Sequence, residues 1–271
     1  MLYIMLTYVK KENKNMNDNF EELFGPIIGK GSQATVYANG EFAIKLYRED
    51  YPKRNVFSEA YIMANLEEVN FPSPKVYEVI SVNGQYGLRM DQVKGKLMSE
   101  DLNNPVKTQE TMDDIIALQY RLQKYEDANW DWAPNIKVRM SNDLKLNDRL
   151  SPATQKKLLK KLESLPEGND LCHCDFHTDN VFVDGENYII IDLLQISKGD
   201  FTADAACSYV AYSLINSELA DYYLNQYCNV AGISKERVLQ WLPIYAGTLL
   251  GQVPEEFSPI IERFISEGND L

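Results

Sequence analysis

One segment, residues 171–193, constrains the fold and the chemistry of this chain more than any other; it reads LCHCDFHTDNVFVDGENYIIIDL. Val181–Val183 and Tyr188–Ile191 are short apolar runs, and the pair Asp184-Gly185 between them can make a tight turn. Two such runs around a glycine-containing turn predict a β-hairpin. The residues on either side of this hairpin are therefore expected to lie close together.

The side chains that flank the predicted hairpin are oxygen donors. Asp175 and Asn180 lie in the loop before it, and Asp192 follows it directly. Two carboxylates and an amide oxygen suit Mg²⁺ that carries the phosphates of a nucleotide. Zinc is the alternative, because the segment also crowds together four potential zinc ligands, Cys172, His173, Cys174 and His177. Zinc sites usually pair two such elements, and Cys207 and Cys228 lie 21 residues apart without a histidine nearby, so the spacing disfavours zinc.

The pattern H-x-D-x-x-x-x-N, followed by an apolar hairpin and Asp, resembles the catalytic and metal-binding segment of the kinase-like phosphotransferases. That superfamily includes protein kinases, aminoglycoside phosphotransferases and choline kinases, and HCDFHTDN is similar to the text of the small-molecule branch. The resemblance implies that Asp175 is the base for the substrate hydroxyl and that Asn180 and Asp192 hold magnesium. Cys174, in place of the branch's glycine, and Leu193, after the metal-binding Asp, depart from the pattern but remove no functional group.

A glycine-rich turn between two strands lies near the start of the chain, where residues 27–37 read IIGKGSQATVY. Its glycines let the backbone pass close to phosphates with N–H groups facing them. A Rossmann fingerprint would need a helix directly after the turn, whereas Asn39-Gly40 between apolar runs predicts another hairpin and an antiparallel sheet. The kinase resemblance then implies a nucleotide-binding loop at Gly29, Gly31 and Ser32, with Val36 packed over the adenine.

Lys45 stands among apolar residues in the strand text AIKLY. A buried lysine needs an anionic partner, and the alternative is an ordinary exposed lysine on a strand. By resemblance, Lys45 corresponds to the V-A-I-K lysine of kinases, which contacts nucleotide phosphates and a helix glutamate. Apolar spacing predicts a helix over residues 55–66, in which Glu59 is the best-placed carboxylate.

A third hairpin, residues 76–90 around Asn83-Gly84, leads into a segment that resembles the kinase hinge. Backbone groups near Asp91 and Val93 would pair with the adenine edge there, and the side chains do not distinguish ATP from GTP. The expected fold is α+β and bilobal, of the protein-kinase-like type. Residues 1–18 are predicted as an N-terminal tail, 19–93 as an N-lobe with an antiparallel sheet and one helix, and 94–271 as a mostly helical C-lobe.

The predicted C-lobe carries several helical patterns. Residues 112–125 have one apolar face and resemble a helix that usually carries histidines in the small-molecule branch. Here the text is ALQYRLQ, and we expect the absence of histidine to affect packing rather than chemistry. Asp204 is only the twelfth residue after Asp192, which leaves too little chain for the activation segment of a protein kinase. Residues 199–204 resemble the G-x-x-x-x-D element of the small-molecule branch, which implies that Asp204 fixes the catalytic loop. Residues 205–267 predict about three amphipathic helices with tyrosines in the core. Trp241 and Tyr245 could form a cation–π wall of the kind that a choline-type substrate uses.

The composition and charge of the chain limit the classes of partner that it can bind. A net charge of −13 argues against nucleic acid and fits a cationic substrate only weakly, because solubility alone explains an acidic chain. The apolar residues 1–9 are too few to cross a bilayer. Four cysteines without a repeated spacing indicate free thiols in a reducing cytoplasm. A small-molecule alcohol is therefore the expected partner, and the oligomeric state is left unassigned.

The sequence is thus interpreted as a small-molecule kinase. It would use ATP, or GTP, with Mg²⁺ to phosphorylate a hydroxyl of a small cationic acceptor, with aminoglycosides as the first candidates. Choline- or ethanolamine-type and sugar acceptors are the alternatives within this class. The alternatives outside it are a protein kinase and a nucleotide-binding pseudokinase that serves as an interaction module. Loss of the base, the lysine or a metal ligand usually marks a pseudokinase, and none is lost here.

Overall fold

The structure, a computed structural model, describes residues 20–125 and 129–267. The predicted tail, residues 1–18, lies outside these ranges. The chain divides into two compact units, of which the first comprises the described residues up to Glu100 together with Asp179–Leu194. The second comprises Asp101–Thr178 and the described residues from Gln195 onward. The lobe boundary between residues 93 and 94 stays a prediction.

The N-terminal part of the chain is built mainly from strands. Its elements are α1 (Phe20–Phe24), β1 (Ile27–Lys30), β2 (Ala34–Asn39), β3 (Phe42–Tyr47), α2 (Lys53–Glu68), β4 (Val76–Val82), β5 (Gln85–Asp91) and β6 (Lys96–Leu97). Strands β1 to β5 form one antiparallel sheet in the order β1-β2-β3-β5-β4. The antiparallel sheet predicted for this region is therefore confirmed.

The hairpin between β4 and β5 shows how the sequence sets the register of this sheet. Val82 pairs with Gln85, so the turn consists of Asn83 and Gly84. Both turn residues have positive φ angles, 51° and 84°. Asn and Gly are the residues that reach this conformation at least cost, and such turns match the twist of the flanking strands.

One face of helix α2 is buried inside the first unit. Its buried positions recur at helical spacing and include one charged residue; they are Val56, Glu59, Ile62, Met63 and Leu66. Apolar side chains at this spacing form the stripe that an amphipathic helix buries. The burial of Glu59 within that stripe therefore requires a polar or cationic partner inside the unit.

The remaining elements follow in chain order. They are α3 (Thr108–Gln123), α4 (Ile136–Leu146), α5 (Pro152–Ser164), β7 (Asp170–Cys172), β8 (Val181–Asp184), β9 (Asn187–Ile190), β10 (Ser197–Gly199), α6 (Phe201–Ile215), α7 (Ser217–Ala231), α8 (Lys235–Leu239), α9 (Leu242–Leu249) and α10 (Ser258–Glu267). Together with the first sheet they give a mixed α+β chain whose C-terminal part is helical, as predicted.

Strands β8 and β9 form the predicted hairpin. Their register pairs Val181 with Ile190 and Asp184 with Asn187, and β6 pairs with the other edge of β8. The N–H of Ile190 also donates to the carbonyl of Pro72, at 2.7 Å. These bonds join the hairpin to the first compact unit.

Strands β7 and β10 pair in the second unit and fix the start of the loop that follows β7. Cys172 pairs with Ser197, and Asp170 pairs with Gly199. The paired backbone ends at Cys172, so the loop that contains Asp175 starts from a fixed point. The helices nearby begin at residues whose side-chain oxygens accept first-turn N–H groups: Asn135, Ser151, Asp200 and Asn216.

The prediction of about three amphipathic helices over residues 205–267 is wrong. Helices α6 to α10 cover this region, and α6 begins earlier, at Phe201. Helix α6 is buried on nearly all sides, so it lacks the polar face that periodicity analysis requires. Within the two described ranges, no helix combines the length and the apolar character that a membrane span requires.

Candidate active site

Lys45 lies on β3 between two carboxylates of the first unit. Its Nζ is 2.7 Å from Oε1 of Glu59 and 2.9 Å from Oδ1 of Asp192. Burial alone lowers the pKa of Lys45, but the charges of Asp192 and Glu59 outweigh burial and raise it well above the ordinary value. Lys45 is therefore a permanent cation in a largely buried position.

The two carboxylates that contact Lys45 differ in their exposure. The side chain of Glu59 is 4% exposed and that of Asp192 is 53% exposed. The hydroxyl of Tyr47 donates a hydrogen bond to Oε2 of Glu59. Burial raises the pKa of Tyr47, the charge of Lys45 offsets part of this rise and Glu59 adds to it, so the hydroxyl remains a donor. Glu59 is thus held by the chain on both oxygens, whereas Asp192 remains open to solvent.

The predicted nucleotide loop lies between β1 and β2. Gly29 pairs with Val36 across the two strands, and the N–H of Gly31 donates to the carbonyl of Ala34 at 2.9 Å. A Cβ atom added to Gly31 would meet only that carbonyl oxygen, at 3.6 Å, which is an ordinary contact. The chain itself therefore has room for a side chain at this position. Ser32 lies in the same turn.

Asp91 and Val93 lie at the end of β5 and just beyond it. The N–H of Asp91 donates to the carbonyl of Lys75 at 3.0 Å, so this group is already used within the chain. The carboxylate of Asp91 accepts from the Tyr77 hydroxyl at 2.7 Å and from the Lys75 N–H at 3.0 Å. The side chain of Asp91 therefore fixes the end of the strand, and a nucleotide would have to use other backbone groups of this segment.

Asn180 and Asp192 flank the hairpin of β8 and β9 in the first unit. Val181 pairs with Ile190, and the N–H of Ile191 donates to the carbonyl of Asn180 at 3.0 Å. Asp192 follows directly with a φ of 57°, in the left-handed region. The hairpin therefore brings the backbones of Asn180 and Asp192 to the same end of the sheet, as its sequence predicted.

The donor set at this end of the sheet fits Mg²⁺ better than zinc. A carboxylate and an amide oxygen are hard ligands, and Mg²⁺ usually takes few protein ligands and completes its shell with phosphate and water oxygens. Among the described residues, no group of three or more His, Cys, Asp and Glu side chains is arranged to hold a metal ion. Zinc would need such a group of protein ligands.

Asp175 lies in the second unit, in the loop after β7. Its Oδ1 is 3.3 Å from Nε2 of His177, and its side chain is 36% exposed. The backbone on its N-terminal side is fixed at Cys174, whose N–H donates to Oδ1 of Asp204 at 2.6 Å and whose carbonyl accepts from the Tyr245 hydroxyl at 3.2 Å. Asp204 thus makes the kind of contact with the loop that the sequence predicted.

Cys174 has a φ of 65°. This left-handed conformation costs any residue with a Cβ atom, and glycine adopts it freely. The positive φ is therefore a physical reason for the glycine that the small-molecule branch carries at this position, and the sequence alone did not reveal it. Cys174 is also fully buried, so its thiol is accommodated inside the second unit.

Two predictions about the C-terminal part need correction. Trp241 is 0% exposed and its Nε1 donates to Thr202, so it cannot form a cation–π wall for a substrate. The glutamines of the histidine-free text on α3 do more than pack. Gln119 and Gln123 both donate hydrogen bonds to Oδ2 of Asp204. Their spacing of four residues, which places them on one helix face, was the signal in the sequence.

These features define a phosphotransferase with a kinase-like fold: a glycine-containing turn, a strand lysine paired with a helix glutamate, and a hairpin flanked by Asn and Asp. A family model described as the phosphotransferase enzyme family matches residues 26–241. This chain belongs to that family.

Solved structures show the same fold at low sequence identity. A thermostable mutant of aminoglycoside phosphotransferase APH(4)-Ia, in a ternary complex with AMP-PNP and hygromycin B, is 14% identical, with a TM-score of 0.63 over 91% of this chain and 95% of that one. The amicoumacin kinase hAmiN, in complex with AMP-PNP, Ca²⁺ and Ami, is 15% identical, with a TM-score of 0.60 over 90% of this chain and 87% of that one.

A third structure belongs to another substrate group. It is a choline/ethanolamine kinase family protein from Mesorhizobium loti, 15% identical, with a TM-score of 0.55 over 89% of this chain and 79% of that one. No curated protein sequence matches the chain significantly. The structural comparisons thus agree on the kinase-like fold, and the relatives differ in the acceptor that their names give.

Proposed function

We propose that this chain transfers the γ-phosphoryl group of ATP to a hydroxyl of a small cationic acceptor. The observation that carries the proposal is the contact of Lys45 with both Glu59 and Asp192 in a member of the phosphotransferase enzyme family. A permanent, largely buried cation beside an exposed carboxylate is suited to bind phosphate oxygens next to a metal ion.

The nucleotide would be held by the first unit. Lys45 would bind phosphate oxygens while Glu59 fixes its position. The turn at Gly29, Gly31 and Ser32 would approach the phosphates. The chain leaves room for a side chain at Gly31, so a glycine there would serve the approach of the phosphates rather than the packing of the chain. Val36 would pack against the base, and backbone groups between Asp91 and Val93 would pair with its edge. ATP is favoured over GTP because named relatives carry AMP-PNP.

Asn180 and Asp192 would hold the metal ion. Mg²⁺, when bound with the nucleotide, supplies neutralisation of the charge on the transferred phosphoryl group. Asp192 would orient its carboxylate toward that ion through its contact with Lys45. The amide oxygen of Asn180 would be the second protein ligand at the same end of the β8–β9 hairpin.

Asp175 would act on the acceptor. Its carboxylate would accept the proton of the attacking hydroxyl and orient that hydroxyl for transfer. His177, whose Nε2 is 3.3 Å from Asp175, would restrict the orientation of the carboxylate. Since Asp175 acts on the acceptor rather than the nucleotide, its loss should affect transfer far more than nucleotide binding.

A cationic antibiotic of the aminoglycoside type is the first acceptor to test. The names of two relatives include hygromycin B and streptomycin, and the net charge of −13 favours a cationic partner over an anionic one. Choline or ethanolamine is the second candidate, because one relative belongs to that family. The four cysteines are free and buried, which supports the expectation of a reducing cytoplasm.

The test is ADP release with Mg²⁺ and ATP, for the wild type and for Asp175→Asn. The acceptor panel comprises aminoglycosides, amicoumacin, choline, ethanolamine and simple sugars. We expect one acceptor class to stimulate the wild type, and the rate of Asp175→Asn to fall by about 10²–10⁴-fold. The nucleotide-induced rise in Tm should survive in that variant.

Other outcomes would change the assignment. A nucleotide-induced rise in Tm without transfer to any acceptor would favour a pseudokinase that serves as an interaction module. Transfer to an added protein, but to no small alcohol, would favour a protein kinase. Loss of nucleotide binding in Asp175→Asn would contradict the role given to that residue.

A further inference from the structure

Asp204 is a buried carboxylate with neutral hydrogen-bond donors. It is 1% exposed on α6, where Oδ2 accepts from Nε2 of Gln119 at 2.8 Å and from Nε2 of Gln123 at 2.7 Å. Oδ1 accepts from the N–H of Cys174 at 2.6 Å. A buried carboxylate is costly unless its oxygens are satisfied, and here two amides and a backbone group satisfy them.

Each of the two glutamines is in turn held by a tyrosine of α7. The hydroxyl of Tyr223 donates to Oε1 of Gln119 at 2.6 Å, and that of Tyr227 donates to Oε1 of Gln123 at 2.5 Å. All four side chains are buried, and both pairs lie four residues apart on their helices. The result is two parallel chains of hydrogen bonds, each running from phenol to amide to carboxylate.

The network reaches the loop on both sides of Asp175. Asp204 holds the N–H of Cys174, and the hydroxyl of Ser208 donates to the carbonyl of Phe176 at 2.7 Å. Ser208 also accepts from Nε2 of Gln119 at 2.9 Å. Cys174 and Phe176 are the immediate neighbours of Asp175, so one connected cluster fixes the backbone before it and after it.

The hydrogen bonds also act on the protonation of Asp204. Burial, followed by the electrostatic effect of Cys174, raises its pKa, the donors at Gln119, Cys174 and Gln123 lower it, and the net pKa is about 7. Hydrogen bonds in a chain polarise one another, so the tyrosines strengthen the amide donors. The ionised form accepts the Cys174 N–H better than the protonated form does, so ionisation and the hold on the loop are linked.

We propose that Gln119 and Gln123, supported by Tyr223 and Tyr227, are positioning residues for Asp175. They orient Asp204 and favour its ionised form, and Asp204 together with Ser208 clamps the backbone around Asp175. The inference rests on the proposed role of Asp175 as the base. The alternative is a buried polar network that contributes only to stability.

A pH dependence must be assigned among the groups that surround Asp204. The α3 and α7 residues that face it are neutral amides and phenols, as given above. Its own helix contributes Cys207 and Ser208, and the loop after β7 contributes a backbone N–H and the nearby thiols Cys172 and Cys174. The loop also contains two ionisable imidazoles, those of His173 and His177, and both are buried.

The test is hydrogen exchange of the Cys174 amide as a function of pH, which needs no acceptor. In the wild type, protection against local opening of this hydrogen bond should fall as pH falls through about 7, because Asp204 stays buried, takes up a proton and accepts the bond less well. Gln119→Leu and Gln123→Leu each remove one donor, so the midpoint should rise by about one pH unit. Tyr223→Phe and Tyr227→Phe remove one hydroxyl each and should give smaller shifts in the same direction.

Two further variants serve as controls. Gln155→Leu removes another amide of the second unit, whose Nε2 donates to the carbonyl of Leu144 at 2.8 Å, and it should leave the midpoint unchanged. Asp204→Asn keeps an oxygen for the Cys174 N–H but cannot titrate, so the midpoint should disappear. A midpoint that persists in Asp204→Asn would assign the titration to a histidine and overturn the proposal.

Activity gives the second readout. With an acceptor that is turned over, the acidic limb of the pH profile of kcat should move with the exchange midpoint, while the KM for ATP stays constant. If the glutamine variants lost the same amount of protection at the Cys174 amide at every pH, the network would have only a structural role and the proposal would be overturned. A shifted midpoint without turnover of any acceptor would support the clamp and count against the proposed transfer reaction.

Discussion

Lys45 Nζ and Glu59 Oε1 lie 2.7 Å apart, and Glu59 is the most deeply buried partner of this lysine. The second partner, Asp192, comes from 147 residues further along the chain and keeps 53% of its side chain exposed. The lysine is therefore anchored by one carboxylate and shared with another that solvent and ions can reach. This asymmetry predicts separate effects on stability and on metal binding.

The stability effect should follow from the buried pair. Lys45→Met leaves the Glu59 carboxylate, 4% exposed, without a counter-charge, and should lower the free energy of unfolding by about 3 kcal/mol. Lys45→Met combined with Glu59→Met should recover much of that loss, because no unpaired charge remains. The measurement is urea unfolding of the two single variants and the double variant. Lys198→Met breaks the pair with Asp131, which is 75% exposed, and should lower the free energy of unfolding far less, because water solvates the remaining carboxylate. Equal losses at both sites would contradict the buried-pair argument.

The metal effect should follow from Asp192. Asp192→Asn leaves the Lys45–Glu59 pair intact, so the free energy of unfolding without nucleotide should change by about 1 kcal/mol or less. Removal of this proposed carboxylate ligand should raise the Mg²⁺ concentration for half-maximal effect at least tenfold, because the charge that attracts the cation is lost. The measurement is the ATP-induced rise in Tm across a Mg²⁺ titration. An unchanged Mg²⁺ requirement would remove Asp192 from the metal site.

Tyr47 provides a test of how firmly Glu59 is held. Tyr47→Phe removes the hydroxyl that donates to Oε2 of Glu59 and leaves a buried carboxylate oxygen without that donor. The expected loss of unfolding free energy is about 1–3 kcal/mol. Tyr77→Phe is the matched control: Tyr77 is 51% exposed and its hydroxyl donates to Asp91, so water can replace that bond and the loss should be clearly smaller. Urea denaturation measures both, and a larger loss for Tyr77→Phe would refute the argument.

Local patterns were sufficient to predict the antiparallel sheet, the buried helix glutamate and the Asp192 hairpin, all of which lie in the first unit. The pair Asn83-Gly84 gave the β4–β5 hairpin because few residues reach the required φ values, and the run after Asn180 gave the hairpin that returns Asp192. Helical spacing placed Glu59 on the buried face of α2. Each of these inferences depends on residues close together in the chain.

Contacts that depend on distant segments could not be predicted in the same way. Gln119 and Asp204 lie 85 residues apart, and nothing in either local text pairs an amide with that carboxylate. Helix α6 is apolar all round because it is buried, so periodicity did not give its start. The φ of 65° at Cys174 follows from the loop that joins β7 to the residues beyond, rather than from the preference of cysteine.

The strain at Cys174 can be measured with a matched pair. Cys174→Gly and Cys174→Ala both remove the thiol, and only the alanine keeps a Cβ atom at a positive φ. The glycine variant should be more stable than the alanine variant by about 1 kcal/mol. At Cys207, inside helix α6, the same comparison should have the opposite sign, with alanine more stable by about 1 kcal/mol. Thermal unfolding of the four variants measures both differences, and the same sign at both positions would argue against strain at Cys174.

Asp204 predicts a pH dependence of stability whose direction is unusual for a carboxylate. Burial raises its pKa from 3.8 to about 7 in the folded chain. Between these values the folded state holds a proton that the unfolded state releases, so the contribution of Asp204 to stability is present below pH 4 and is lost as pH rises through about 7. The wild type should therefore lose unfolding free energy relative to Asp204→Asn over this interval, by an amount on the order of 4 kcal/mol. Urea unfolding of both proteins at several pH values measures the difference. A difference that is independent of pH would show that Asp204 ionises at its ordinary pKa, with its donors fully offsetting burial.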